Sequence, residues 1–315
     1  MASAAVESRR DQFLATVVTN SPICREHFRL VLSLPVFPAT APGQFVQVAC
    51  RELNEPADVV EIDCSPGRPI ALSGDELLSP TAMLRRPFSL AGRRDVPEGG
   101  VELEIIHRVV GVATDWLSRL RVGDRVGILG PLGNRFALPR ADQTALLVGG
   151  GVGIPPMIYL ASQLAGQRAV AFAGAVTRDL LALTLTDDAR VEEFARHGVE
   201  TIISTDDGSL GFGGYVTQAL ERWLDDAKMN PGDAVIYTCG PELMMKRVAA
   251  IAAGREIECQ VAVERAMACG MGTCQSCCIK VRKPDPSKPP LPGSDWCYRL
   301  ACTDGPVFHG SELLW

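Results

Sequence analysis

The chain has 315 residues, of which 47% are hydrophobic and 22% are charged, a composition typical of globular proteins. Its length predicts more than one domain, each with apolar residues enough for a core. A formal net charge of −6, with no basic patch along the sequence, argues against nucleic acid as a partner.

Cysteine usage and the N-terminal stretch indicate a reducing compartment. Five of the eleven cysteines crowd between Cys269 and Cys297. The opening MASAAVESRRDQF lacks the apolar segment that follows the basic residues of a secretory signal. No apolar run reaches the length of a transmembrane helix, so we expect no membrane span. We therefore expect a cytoplasmic protein whose cysteines bind metal rather than form disulfides.

The segment 9–141 alternates apolar and polar residues, as at Phe13, Ala15 and Val17, between regularly spaced Gly and Pro residues. Short strands with regular turn signals predict a small antiparallel β-barrel. The acidic, turn-rich stretch 51–82 interrupts this pattern, and we expect it to form a long loop or an extra hairpin.

A predicted strand of this barrel carries an R-x-F-S signature. An arginine can pair with a diphosphate, an aromatic ring can stack on a flavin, and a serine hydroxyl can hydrogen-bond the ring near its reactive nitrogen. The alternative is an ordinary edge strand with an exposed arginine. The candidate flavin contacts are Arg86, Pro87, Phe88 and Ser89.

The next predicted strand, 101–110, ends at a glycine turn that opens a helix. Such a turn presents free N–H groups to an anion, although a plain helix N-cap is the alternative. The candidate diphosphate contacts are Gly111, Val112, Ala113 and Thr114. His107 lies beside this turn and is a further candidate flavin contact, although a lone histidine on a strand is more often structural.

The segment 142–255 alternates buried strands with helical patterns, which predicts a parallel α/β domain with right-handed crossovers. The predicted elements include strands 169–174, 200–204 and 234–238 and helices 187–197, 215–225 and 242–253.

A buried strand at 145–148 leads directly into a run of glycines and then into a helix that begins with two prolines. In this arrangement the backbone can approach a pyrophosphate at the helix N-terminus, although the spacing is not the common G-x-G-x-x-G and a ligand-free turn is the alternative. For Cys239, placed where a nicotinamide ring would lie, the alternative is a small buried hydrophobe. The candidate nucleotide contacts are Gly150, Gly151, Gly153, Cys239 and Gly240.

The segment 256–315 carries a C-x4-C-x2-C array followed by a second short cysteine segment. This is the ligand spacing of a plant-type [2Fe–2S] cluster, and iron takes soft thiolate ligands. Small residues in the loop let its backbone aim N–H groups at the cluster sulfurs. The candidate metal ligands are Cys269, Cys274, Cys277 and Cys302.

Alternatives to this cysteine assignment are a zinc site or disulfides. Zinc usually prefers paired C-x2-C knuckles or Cys/His mixtures, and this loop has no histidine nearby. Cys297 competes with Cys302 as the fourth ligand, but 24 residues separate Cys302 from Cys277 whereas 19 separate Cys297 from it, and the longer gap suits a plant-type arrangement better. We expect Cys278 to be a packed thiol on the opposite side of its strand from Cys277.

The order of these segments resembles that of the electron-transfer subunit of two-component (class 1B) dihydroorotate dehydrogenases, a branch of the ferredoxin–NADP reductase superfamily. The resemblance implies a multidomain α+β fold with an FAD-binding antiparallel β-barrel at 9–141, an NAD-binding parallel α/β domain at 142–255 and a small [2Fe–2S] domain at 256–315. The matching segments are PGQF at 42–45, RRPFS at 85–89, GPLGN at 130–134, GGGVGIPPM at 149–157, TDDGS at 205–209, CGPELM at 239–244, ERAMACGMGTCQSC at 264–277 and CTDGPVF at 302–308.

The resemblance also implies cofactors and a partner. Such a subunit binds FAD and a [2Fe–2S] cluster and pairs, as a heterotetramer, with an FMN-containing dihydroorotate dehydrogenase catalytic subunit. Electrons pass from dihydroorotate through FMN, the cluster and FAD to NAD+ in pyrimidine biosynthesis. No acid–base catalytic residue is then expected, since the protein positions cofactors and tunes their potentials.

Two other functions are compatible with the same motifs. One is an NAD(P)H reductase subunit that serves ferredoxin, polysulfide or a hydrogenase. The other is a binding module that senses redox state without turnover, against which the intact cysteine ligands and R-x-F-S signature argue. The resemblance favours NAD over NADP, and Arg178 is either a contact for a 2′-phosphate or a solvated surface charge.

Overall fold

The computed structural model describes residues 10–53, 82–164, 166–187, 190–282 and 295–315. Most of the turn-rich stretch at 51–82, expected to form a loop or hairpin, lies outside these residues. The domain boundaries inferred from sequence stay predictions.

The N-terminal part forms a seven-stranded antiparallel sheet in the order β4-β3-β7-β1-β2-β6-β5. Along β6, Val101, Leu103 and Ile105 are buried while Glu102 and Glu104 between them are half-buried, so one face of the sheet makes a core. The strands are β1 (Asp11–Cys24), β2 (His27–Leu34), β3 (Phe45–Val48), β4 (Arg86–Ser89), β5 (Gly92–Asp95), β6 (Val101–Arg108) and β7 (Arg125–Leu132).

This sheet curls so that its edge strand β4 approaches β6. Within the described residues β4 and β5 are its edges, so no hydrogen-bonded ladder closes it. Instead Phe88 of β4 packs edge-on against His107 of β6, with ring centroids 6.1 Å apart. The predicted antiparallel barrel is confirmed in this partly open form.

Helix α1 (Val112–Ser118) connects β6 to β7. Its last carbonyl groups have no partner within the helix. The side-chain amide of Asn20 donates to the carbonyls of Leu117, at 2.9 Å, and Leu120, at 3.0 Å. Strand β1 thereby holds the end of α1, and with it the turn that begins the helix.

The second sheet also has seven strands, in the order β11-β10-β9-β8-β12-β13-β16. All its pairings are parallel except that of β16 with β13. The predicted parallel α/β domain is therefore confirmed, with one antiparallel edge strand. The strands are β8 (Thr144–Gly150), β9 (Ala169–Ala175), β10 (Glu200–Thr205), β11 (Phe212–Gly213), β12 (Ala234–Cys239), β13 (Glu258–Ala262) and β16 (Val307–His309).

Helices cover both faces of this sheet, so its central strands are apolar throughout. On β8, Leu146 and Val148 pack with the residues of α4 and α5, whereas Ala145 and Leu147 pack with those of α2 and α3. The helices are α2 (Ile154–Ser162), α3 (Glu192–Ala195), α4 (Val216–Ala227) and α5 (Glu242–Gly254).

The predicted helix 187–197 is wrong in its first half, because α3 begins only at Glu192. Among the described residues before it, Leu185 and Val191 make an antiparallel bridge. The buried carboxylate of Glu193 accepts the Thr184 N–H at 3.0 Å and pairs with the guanidinium of Arg29 on β2. Contact with a distant strand thus positions α3, which helical periodicity alone does not show.

The C-terminal part adds a two-stranded antiparallel sheet of β14 (Cys278–Val281) and β15 (Cys297–Leu300). Ile279 and Val281 of β14 are buried, so the alternating positions face outward. Cys278 is therefore exposed, and the expectation of a packed thiol is wrong. Strand β16 then returns to pair with β13 and joins this part to the second sheet.

None of the helices within the described ranges combines the length and apolar character needed to cross a membrane.

Candidate functional site

A cavity of about 1250 Å³ lies where the three parts of the chain meet. Its walls come from β4 and β6 of the curled sheet, from the strand-end loops of the parallel sheet, and from residues 263–267 just before the cysteine loop. This volume exceeds that of a typical small-ligand pocket and suits a dinucleotide with room for a second ligand.

The R-x-F-S signature is divided between cavity and surface. Pro87, Phe88 and Ser89 line the cavity, and Ser89 is held in place because β4 pairs there with Phe45 of β3. The guanidinium of Arg86 instead donates to the Leu84 carbonyl at 2.9 Å and does not line the cavity. The structure therefore brings together three of these four candidates.

His107 lines the same cavity and is 1% exposed. Its ring stacks on that of Phe28, with centroids 5.8 Å apart. Burial, with a smaller contribution from nearby His27, lowers the pKa of His107 to about 4, so its imidazole is neutral at pH 7. Neither ring nitrogen has a hydrogen-bond partner among the described residues, which leaves the ring able to bind a polar group of a ligand.

The turn before α1 is closed by Thr114, which also lines the cavity. Its hydroxyl accepts the N–H groups of Val110, at 2.9 Å, and Gly111, at 3.2 Å, and donates to the Gly111 carbonyl at 3.0 Å. Gly111 and Val112 are exposed, whereas Ala113 is buried beneath them. Diphosphate contacts by these residues stay a prediction.

Gly150 and Gly151 line the opposite wall of the cavity, at the end of β8. Gly153 does not; a Cβ atom on it would overlap the carbonyl of Cys239. Gly240 is equally close-packed, since a Cβ there would lie 2.9 Å from the Gly150 carbonyl oxygen. Gly153 and Gly240 thus let the start of α2 approach the end of β12.

Cys239 ends β12 with its side chain in the core rather than in the cavity wall. The residue is 2% exposed. Burial raises the pKa of its thiol well above the ordinary value, and the carboxyl group of Glu264 raises it further. Contact of this neutral thiol with a nicotinamide ring stays a prediction.

The sequence reasoning did not assign roles to the residues that form the third wall. Glu264 and Arg265 lie there, and the Arg265 guanidinium pairs with Glu242 at the start of α5 at 2.6 Å. Glu264 is exposed where it lines the cavity, and the protein packed around its carboxyl group disfavours the charged form and raises its pKa. The sequence feature that could have identified these two residues is their position shortly before Cys269, the first candidate ligand.

The four candidate ligand cysteines lie in two pairs. The N–H groups of Met271 and Cys274 both donate to Cys269 Sγ, at 3.4 Å each. Cys277 and Cys302 are buried side by side; burial, and next a hydrogen bond with Cys277, raise the pKa of Cys302 to about 12. Closely packed buried thiols ionise only if a cation compensates their charge, as iron does in a cluster.

Four thiols arranged as two pairs match the donor set of a binuclear cluster. A binuclear cluster divides four thiolates between two irons, whereas a structural zinc ion gathers four ligands at one centre. Cys297 lies apart on β15, opposite Val281. The donor set fits a [2Fe–2S] cluster.

Apolar packing connects the cavity with the cysteine pairs. Phe45 and Met267 both line the cavity, and both belong to the core cluster that contains Cys277 and Cys302. The core packing therefore continues from the cavity to the cysteine region.

Comparison with known families agrees with this arrangement. The family described as "Iron-sulfur cluster binding domain of dihydroorotate dehydrogenase B" matches residues 264–314. The family described as "Oxidoreductase NAD-binding domain" matches residues 147–250.

A solved structure of an NADH-dependent reduced ferredoxin–NADP oxidoreductase, described as a study of flavin-based electron bifurcation, is similar over 100% of this chain and 92% of its own. Its TM-score is 0.69 and its sequence is 26% identical. A cytochrome P450 reductase from Amycolatopsis matches with a TM-score of 0.57 and 27% identity, over 80% of this chain and 68% of its own.

Two curated relatives are named dihydroorotate dehydrogenase B (NAD(+)), electron transfer subunit. The protein of Geobacillus thermodenitrificans (strain NG80-2) is 36% identical over 303 residues, which are 95% of this chain and 97% of that protein. The protein of Desulforamulus reducens is 32% identical over 274 residues, 87% of each. The chain therefore belongs to the family of electron transfer subunits of NAD+-dependent dihydroorotate dehydrogenase B.

Proposed function

We propose that this chain passes electrons from an FMN-containing dihydroorotate dehydrogenase catalytic subunit to NAD+, by way of a [2Fe–2S] cluster and FAD, in pyrimidine biosynthesis. The observation that carries the proposal is the core packing that continues from Phe45 and Met267 in the cavity wall to Cys277 and Cys302. When bound, FAD exchanges a hydride with nicotinamide and single electrons with the cluster.

The residues of the cavity have separate tasks in this proposal. Phe88 and Ser89 on β4 hold the flavin ring, and neutral His107 binds one of its polar atoms. Gly150 and Gly151, at the other wall, take the dinucleotide of NAD+, since backbone without side chains allows close approach. Phe45 and Met267 give the cavity apolar surface that continues into the core around Cys277 and Cys302.

The cysteine loop holds the iron. Cys269, Cys274, Cys277 and Cys302 would hold the two irons of the cluster as thiolates. The N–H groups of Met271 and Cys274 that already point at Cys269 would remain as donors to its thiolate. Such donors stabilise the additional negative charge of a reduced cluster.

The proposed partner is the FMN-containing catalytic subunit, in a heterotetramer that operates in the cytoplasm. The family name, electron transfer subunit, supports a catalytic partner. Met271 is 53% exposed and Cys274 is exposed, so one side of the cysteine loop is accessible to a partner.

NAD rather than NADP is the proposed nucleotide. Arg178, the candidate for a 2′-phosphate contact, does not line the large cavity. It lines a separate cavity of about 540 Å³ against the β1–β2 hairpin. Its backbone N–H donates a hydrogen bond to the Ser209 hydroxyl oxygen at 2.8 Å. This placement supports a surface role for the arginine.

The likeness to the NADH-dependent reduced ferredoxin–NADP oxidoreductase supports a second candidate. The same cofactor order would serve an NAD(P)H reductase subunit whose partner is ferredoxin, polysulfide or a hydrogenase.

The test uses the tagged chain, purified without oxygen from its own host together with whatever remains bound. Dihydroorotate and NAD+ are added, and NADH absorbance is followed. We expect NADH to form, to disappear with Cys302→Ser, and to persist with Cys278→Ser, which alters an exposed thiol next to a ligand. Absence of NADH, with NADH still reducing a dye, would favour the second candidate.

A further inference from the structure

Strand β3 contributes Phe45 to the large cavity and Gln47 to the surroundings of the cysteine loop. Its side chains alternate: Val46 and Val48 pack in the core of the curled sheet. Phe45 points the other way, into the core cluster that holds Cys277. By the same alternation Gln47 lies on the face of β3 that meets the cysteine loop.

Gln47 is 0% exposed. Neither its Nε2 nor its Oε1 has a hydrogen-bond partner among the described residues. Buried amides are nearly always hydrogen-bonded, because burial removes the water that would otherwise bind them. An unpartnered amide in this position therefore indicates a group that completes the site when it is bound.

The amide packs against the cysteine loop. A Cβ atom placed on Gly270, the residue after Cys269, would lie 2.8 Å from Gln47 Cδ and 2.9 Å from its Nε2. Gly270 also has a φ of +70°, which favours glycine. The Gln47 amide thus lies against the cysteine loop, and Gln47 is not among the residues that line the large cavity.

We propose that the side-chain amide of Gln47 donates a hydrogen bond to a sulfur of the iron–sulfur centre held by the Cys269 loop, and so raises its reduction potential. This inference rests on the proposed function only in requiring that the cluster binds. One-electron reduction adds negative charge to the sulfurs, and an N–H donor stabilises that charge. Through the reduction potential of the cluster, Gln47 thus sets the equilibrium distribution of an electron between cluster and flavin.

Two variants of the complete, cofactor-loaded chain test the proposal. Gln47→Met keeps the size of the side chain and removes the donor; Gln47→Leu removes both polar atoms as well. Cluster reduction is followed by electron paramagnetic resonance during a redox titration. We expect both variants to retain iron, since four cysteines hold it. The electron should shift about tenfold from cluster toward flavin, which is about 59 mV for a one-electron couple.

Gln260→Met is the matched control. Gln260 is also buried, but its amide already donates to the Ala137 carbonyl at 3.1 Å. We expect this variant to leave the cluster signal and its midpoint potential unchanged.

The measured iron content, midpoint potential and g values separate the hydrogen bond from a packing role of Gln47 and from the proposed function. An unchanged midpoint and unchanged g values in the Gln47 variants would overturn the hydrogen bond. Loss of iron from both variants would also overturn it, because Gln47 would then be a packing residue of the loop. A wild-type chain with no cluster signal would contradict the proposed function instead.

Discussion

His107 is a single residue whose burial has a measurable consequence. Its pKa is about 4 in the folded protein and is ordinarily near 6.5, so the unfolded chain binds a proton that the folded chain refuses. The contribution of His107 to the free energy of unfolding is therefore fully present above pH 6.5. It is lost as the pH drops toward 4, by about 3 kcal/mol in all. We expect the unfolding temperature of His107→Gln to fall less steeply than that of wild type between pH 6.5 and 4.5.

The control at this scale is the same substitution at His309, which is exposed on β16. His309→Gln controls for the loss of a histidine side chain at the surface of the protein. Equal slopes for wild type and His107→Gln, measured by circular dichroism, would show that His107 is protonated in the folded state.

Between elements, the approach of α2 to β12 depends on Gly153. A Cβ atom there would overlap the backbone carbonyl of Cys239, which no side-chain rotation can relieve. Gly153→Ala should therefore destabilise the protein by about 1–3 kcal/mol, as other overpacking changes do. It should also weaken NAD+ binding, since the glycine loop would shift. Unfolding temperature and NAD+ titration measure the two effects.

Gly254→Ala provides the comparison for this element. No atom lies within 4 Å of a Cβ atom built on Gly254, at the end of α5. Alanine favours helix there by up to about 1 kcal/mol, so a neutral or stabilising effect is expected. A similar loss of stability in both variants would contradict the role assigned to close packing at Gly153.

Across the whole molecule, one core cluster runs from the parallel sheet into the cysteine region. Leu146 of β8, Val248 of α5 and the thiol-bearing residues Cys277 and Cys302 all belong to it. Removing iron should therefore lower the stability of the α/β part as well as that of the cysteine loop. We expect one calorimetric transition in the iron-free protein, lower by about 2 °C for each kcal/mol of binding free energy lost.

Two separated transitions, with the upper one unmoved by iron removal, would contradict this coupling. The control is Cys278→Ser loaded with iron. Its exposed side chain lies outside the shared core, so its unfolding temperature should match that of wild type.

Local sequence patterns predicted much of the fold. Alternation identified the curled sheet, and the succession of buried strands and helices identified the parallel sheet, because each pattern is confined to one short stretch of chain. The same locality produced the error at α3, where Glu193 pairs with Arg29 of the distant strand β2, a contact that helical periodicity does not contain.

The sequence by itself determined the chemistry available to this protein: the cysteine spacing, the aromatic and hydroxyl groups of β4, and the glycines after β8. Only the tertiary structure decided which of these groups face one another. It turned Arg86 away from the cavity, enclosed the Cys239 thiol, brought Glu264 to the third wall and placed Gln47 against Gly270. The physical reason is that spacing is a property of one segment, whereas burial and contact depend on how distant segments pack together.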